Sequence, residues 1–180
     1  SLMKTNNMMD ISNKDFVEGF EEFAKNEEKK AEQREKAPVP YRANIVGDNE
    51  NDINDKYYGN NNVMVSNDAA EHGTHVSGII AAVRKNGKGM DGIADNVKIM
   101  MVRAVPDGDE HDKDIALAIR YAVDNGAKVI NMSFGKSFSP HKEWIDEAVD
   151  YANSKGVLLV HAAGNDHKNI DSTDNFPNNI

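Results

Sequence analysis

Downstream of residue 70, apolar positions fall into two alternating periods. Gly73 to Val83 carries small and apolar residues at helical spacing, which predicts a buried helix. Asp114 to Asn125 places Ile115, Ala118, Ile119, Ala122 and Val123 on one helical face, with Gly126 as a C-terminal stop. A further helix is expected after Ser139 as N-cap and Pro140 at its first position, ending before Gly156. Between these helices lie short, nearly continuous apolar runs, Val97 to Val105, Lys128 to Phe134 and Val157 to Ala163, which read as strands. Continuous apolar strands joined by helices imply parallel strands buried on both sides. The expected class is therefore α/β, a three-layer parallel sheet with helices on both faces.

The first part of the chain has a different pattern. Phe16, Val17, Phe20, Phe23 and Ala24 form one modest apolar stripe in an otherwise charged stretch, as in a solvated amphipathic helix. Ser12 and Asp15 have capping-box spacing at its start. The prolines of Ala37-Pro38-Val39-Pro40 end the stretch. Residues 3–42 are read as a helical, charged insertion or linker, and residues 43–180 as the domain proper. Ala43 to Val46 fits a short strand, and Asp48 to Asn62 is rich in the Asn, Asp and Gly of turns.

Composition narrows the function. The 180 residues carry 21 Lys and Arg against 30 Asp and Glu, a net charge of -9, which argues against a nucleic-acid partner. Mean hydropathy is -0.66, and the longest apolar runs are too short to span a bilayer. With no cysteine there is neither a disulfide nor a thiol nucleophile.

In parallel sheets ligands gather at the carboxyl ends of strands. Two such ends stand out, Asn131-Met132-Ser133-Phe134-Gly135 and His161-Ala162-Ala163-Gly164-Asn165-Asp166. Their small residues let another backbone approach, and Asn165 could aim an amide N–H at developing negative charge. An ordinary strand-to-loop turn accounts for the second segment equally well. His72, at a helix entrance, suits a general base. On residue chemistry alone it is equally a hydrogen-bonded structural histidine, or a metal ligand with His75.

His72-Gly73-Thr74-His75-Val76-Ser77-Gly78 resembles the catalytic-histidine motif of the subtilisin-like serine proteases. Gly92-Ile93-Ala94, Val129 to Gly135 and Ala162-Ala163-Gly164-Asn165 follow in that family's order and approximate spacing. The resemblance covers roughly residues 71–166 and reaches toward Phe176-Pro177. It implies an incomplete subtilisin-like fold and a parent endopeptidase that cleaves peptide bonds by a Ser/His/Asp mechanism. His72 would be the general base and Asn165 the side-chain oxyanion donor. Ser133, Phe134 and Gly135 would pair with an extended polypeptide substrate, and Ala162, Ala163 and Gly164 would line the pocket before the scissile bond. His75 would pack inside its helix.

Departures from the family pattern matter too. No Asp-Ser-Gly or Asp-Thr-Gly occurs; Asp48 follows an apolar run, but Asn49-Glu50 after it does not fit. A Gly-Thr-Ser-Met-Ala-like motif is also absent. The isolated chain is therefore expected to be inactive, with the alternative of a non-catalytic peptide-binding or scaffold module on the same sheet. No cofactor is expected. Some family members hold calcium where Lys85 to Asp91 lies, but two lysines and few carboxylates favour a plain turn. The acidic residues between Asp107 and Asp114 are a solvated helix start, or, beside a cleft, a selector of basic side chains. Exposed apolar surface would promote self-association, and family habit points to export of the parent.

Overall fold

The computed structural model describes residues 14, 16–21, 24–25, 28, 41–64, 70–105, 110–165, 167–172 and 176–177. The chain divides into two units, Ser1–Ile45 and Val46–Ile180.

In the first unit, the described residues between 14 and 28 are helical. Phe16 and Phe20, one turn apart, stack with ring centroids 6.5 Å apart, and Lys14 pairs with Glu18 at the i,i+4 spacing that suits a helix surface. Phe20 is 63% exposed and Val17 48%. Ser12, Asp15 and Phe23 lie outside the described residues. The short strand expected at Ala43 to Val46 is instead the end of a helix, α1, Tyr41–Ile45. Its sequence follows Pro40, and proline immediately before a helix is compatible with its first turn, where the lost N–H has no intrahelical partner.

The second unit is built from α2 (Glu71–Ala81), α3 (Asp112–Asp124), β1 (Val129–Met132), α4 (Lys142–Ser154) and β2 (Leu158–His161). β1 and β2 are adjacent and parallel, with Val129 opposite Leu158 and Met132 opposite His161. The α4 crossover between them has the length such a connection needs. Both helices preceding a strand end alike. Gly126 (φ 88°) and Gly156 (φ 68°) take the left-handed conformation that a side chain disfavours. The N–H of Ala127 donates to Ala122 O and that of Gly126 to Val123 O; Val157 and Gly156 repeat the pattern on Ala152 and Asn153. These paired bonds satisfy the last helical carbonyls and turn the chain directly into each strand.

The core is the seam between α3 and α4. Ile115, Ala116, Ile119 and Val123 face Ile145, Ala148 and Ala152, closed by Met132 and Val157. Ala116, Ala148 and Ala152 are fully inaccessible, and their small side chains let the two helices approach closely. Ile130, Leu159, Phe134 and Trp144 pack on the edge of this cluster. The opposite sheet face, carrying Val129, Leu158 and Val160, is exposed.

A loop from Asp48 to Tyr58 is strapped to the start of α3. Lys113 Nζ lies 2.7 Å from Asp48 Oδ2 and 2.8 Å from Asn49 O, with both charged side chains wholly buried. Glu50 meets His111, and the Tyr58 hydroxyl donates to Asp114. Asp48 is thus engaged as the counter-charge of a buried lysine.

Two expectations fail here. Val97 to Val105 carries no strand, and Val97, Ile99, Met100 and Met101 remain substantially exposed. A strand is held by its ladder, and no described segment pairs with it. Likewise α2 has no buried residue; the main packing among the described elements joins α3 to α4, β1 to β2 and α4 to β2. What fixes α2 is a return of the chain against its end. Gly92 N–H donates to Ala82 O, Ile93 N–H to Ile79 O and Ala94 N–H to Ile80 O. A Cβ on Gly92 would lie 2.3 Å from Ala82 N, so only glycine fits.

Candidate functional site

Because β1 and β2 run parallel and in register, their carboxyl ends emerge side by side. The segments Ser133-Phe134-Gly135 and Ala162-Ala163-Gly164-Asn165 therefore begin at one corner of the sheet, joined by a hydrogen bond from Ala162 N–H to Met132 O at 3.3 Å. The Phe134 ring meets the His161 ring edge-on, with centroids 6.3 Å apart. Ala162, Ala163, Gly164 and Asn165 are exposed, and Gly164 has φ 86°, a turn that turns the chain away from the strand. Asn131 donates its side-chain amide to Ser133 Oγ at 2.9 Å.

Beyond Gly135 the loop is tied down on several sides. Lys136 exchanges two main-chain hydrogen bonds with Phe176 in an antiparallel bridge. Its ammonium lies 2.7 Å from Asp112 Oδ1 and donates to Glu110 O at 2.6 Å. Asp112 also accepts from Ser139 Oγ (2.8 Å) and from the His141 N–H (2.9 Å). Burial alone would raise the Asp112 carboxyl pKa, but these donors together hold it below the ordinary value. The Ser139 hydroxyl is consequently spent on Asp112, and α4 begins two residues later than expected, with His141 at its N-cap. The Gly135 N–H donates to Glu110 Oε1 at 3.0 Å. An open cleft of about 510 Å³ lies alongside, lined by Gly135, Lys136, Ser137, Phe138 and Pro140.

His161 ends β2 on the packed side of the sheet. Both ring nitrogens are shut off from solvent, with no partner in hydrogen-bonding geometry among the described residues. Burial lowers its pKa, outweighing the nearby backbone of Ala162 and Phe134 and the Glu110 carboxylate, which favour the charged ring.

His72 is the second residue of α2 and is exposed, as is His75. No hydrogen bond or ion pair engages His72 among the described residues; the adjacent Gly73 backs onto the Met101 side chain. The structure thus unites the two strand-end segments at one corner and sets His72 on a separate element.

Among the described residues no three His, Asp or Glu side chains converge as a metal site. Asp91 Oδ1 accepts the Lys85 N–H and Asn86 Oδ1 the Lys88 N–H. In this loop these two side-chain oxygens close the turn itself.

Sequence reasoning missed Lys136 as part of this corner; it named His161 only as the start of its strand-end segment and Glu110 and Asp112 only as members of the acidic stretch up to Asp114. Lys136 gives no signal, since its partners are distant in sequence.

Comparison with known proteins bears on these motifs. The Thermophilic serine proteinase of Bacillus sp. (strain AK1) is 48% identical over 99 residues, covering 54% of this chain and 24% of that protein. The Cell wall-associated protease of Bacillus subtilis (strain 168) is 43% identical over 129 residues, 71% of this chain and 14% of that protein. Thermitase of Thermoactinomyces vulgaris is 42% identical over 95 residues, 52% of this chain and 33% of that protein. The chain thus spans a third or less of the length of these three relatives. The family model described as "Subtilase family" matches residues 9–180, nearly the whole sequence, and the chain belongs to the subtilase family.

Proposed function

We propose that this chain is the histidine-and-asparagine portion of a serine endopeptidase that hydrolyses peptide bonds by a Ser/His/Asp mechanism. The observation that supports it most is the parallel register of β1 and β2, which sets Ser133-Phe134-Gly135 beside Ala162-Ala163-Gly164-Asn165. An extended polypeptide would lie along the first segment, and the second would line the pocket for the residue before the scissile bond. His72 would take the serine proton and return it to the leaving amine, and Asn165 would donate to the oxyanion. α2 would then cover the sheet face opposite α3 and α4, completing three layers.

The nucleophilic serine and its aspartate have no matching motif in this sequence, so the isolated chain should not turn over peptides. Residues 3–42 would be a helical, charged insertion or linker. The substrate is a polypeptide, with no nucleic acid and no membrane span involved. A relative named as cell wall-associated supports export of the parent. The bare Val129, Leu158 and Val160 face supports self-association of this chain.

The test is kinetic, on protein that also carries the serine and aspartate motifs. In subtilisin, loss of the asparagine donor lowers turnover by about 10²–10³, a magnitude taken over here from that enzyme. Asn165→Ala should do likewise with KM little changed, and His72→Ala should abolish fluorophosphonate labelling of the serine. Full labelling of His72→Ala would refute the assignment.

A further inference from the structure

His161 stands beneath the strand-end corner and takes no part in the proposed chemistry. In register it lies opposite Met132, and with Leu159 it shares the face of the sheet that packs on the helices. Its ring meets the Phe134 ring edge-on, with centroids 6.3 Å apart, and the chain runs on from it directly into Ala162. It therefore touches both segments of the corner. Yet both of its ring nitrogens are sealed from solvent without a hydrogen-bond partner among the described residues.

A neutral imidazole has one N–H to satisfy and a protonated one has two, so proton uptake raises the demand for acceptors where none is in place. Burial opposes the charged ring; what favours it is the backbone of Ala162 and Phe134 and the Glu110 carboxylate. Met132 of β1 and the apolar cluster of α3 and α4 offer no acceptor side chain. The other charges of the corner, Asp112 at the start of α3 and Lys136 after β1, neutralise each other at 2.7 Å. On α4, Lys142 pairs with Asp146, and the His141 ring stacks on Trp144. A charged ring must therefore draw on the backbone of the two segments or pull Glu110 inward. An extended peptide needs that same backbone in line, and it covers the corner further from water, which disfavours charge. Proton and peptide thus compete for one arrangement, and by reciprocity each weakens the other.

We propose that His161 is a positioning residue that couples peptide seating to proton release: neutral, it supports Phe134 and the chain into Ala162 in the peptide-ready arrangement, and protonated, it takes that arrangement away. This rests on the reading of Ser133-Phe134-Gly135 and Ala162 to Asn165 as the peptide-binding corner.

The test uses the full 180-residue chain and end-capped octapeptides of Ala, Phe and Gln, which carry no titratable group. The Hε1 resonance of the His161 ring is followed against pH with and without saturating peptide, alongside the amides of residues 133–135 and 162–165. Peptide should lower the titration midpoint of the ring by about one pH unit, and the dissociation constant should rise about tenfold as pH falls through the same interval. His161→Leu cannot titrate and should show no such rise, whatever its affinity at pH 7.5. Should that variant not fold, the titration of the wild-type ring decides alone. Peptide that shifts the corner amides yet leaves the His161 midpoint unmoved, or a ring that never titrates while the chain is folded, would overturn the role of His161 and leave the groove standing. Peptide that leaves those amides unmoved at pH 7.5 would overturn the groove and this proposal with it.

Discussion

The Lys136 ammonium lies 2.7 Å from Asp112 Oδ1, joining the first residue of α3 to the loop that leaves β1. Together with the Ser139 hydroxyl and the His141 N–H, it makes Asp112 the common anchor of the helix start and the strand-end loop. The carboxylate side chain is 2% exposed, so removing it strands a buried cation. Asp112→Ala should cost about 3 kcal/mol in urea unfolding at pH 7.

The pH dependence of that loss has a definite sign. The Asp112 pKa is lowered on folding, so its contribution is fully present above its unfolded value, near 3.8, and is lost as pH falls through the lower folded value. The stability gap between wild type and Asp112→Ala should therefore be constant from pH 7 to about 5 and shrink below about 4. A gap that persists undiminished at pH 2 would show that Asp112 does not act as a carboxylate.

His161 titrates in a different window. Burial lowers its pKa below the ordinary 6.5, so the unfolded chain binds the proton more readily than the folded one. Stability should fall as pH drops from about 6.5 toward the lowered folded value. His161→Leu keeps the apolar packing against Phe134 and should remove that slope. Thermal melts of both proteins between pH 7.5 and 5 measure the difference, and parallel curves would contradict it.

Gly92 is required by contact rather than by φ. With Ala82 N only 2.3 Å from where a Cβ would stand, Gly92→Ala must push the 92–94 return off the end of α2. The bonds to Ile79, Ile80 and Ala82 carbonyls would open together. Overpacking of this kind costs about 1–3 kcal/mol. Hydrogen exchange should accelerate in Ile93 and Ala94 and in the last turn of α2, with α3 and α4 unaffected. Unchanged exchange at Ile93 would refute the packing argument.

The sheet face bearing Val129, Leu158 and Val160 is solvent-exposed, and a two-stranded sheet leaves its edges unpaired among the described residues. Exposed apolar strands invite association. Light scattering should give a mass that rises with concentration, and Val160→Lys should suppress the rise. A monodisperse monomer at all concentrations would contradict it.

Which features were legible in the sequence follows from what each depends on. The α3 stripe, the Gly126 and Gly156 stops and the two short strands are local, set by periodicity and by glycine's left-handed freedom, and they stand within a residue or two of expectation. The strand at Val97 to Val105 and the burial of α2 depend on what packs against them, and a period says nothing of that. The same holds for Ser139, whose hydroxyl donates to Asp112, 27 residues away in sequence, while His141 takes the N-cap position. The strand-end corner could be read from the order of its motifs. Glu110, Asp112 and Lys136 could not, since their meeting is fixed only once α3 packs on α4.

The central claim is that an extended peptide seats at the carboxyl ends of β1 and β2. The most direct measurement is hydrogen exchange of the whole chain with and without saturating extended peptide. The account predicts slowed exchange in residues 133–135 and 162–165 and no change at 126–128 and 155–157, the opposite ends of the same strands. Slowing confined to those opposite ends, with the first set untouched, would contradict it.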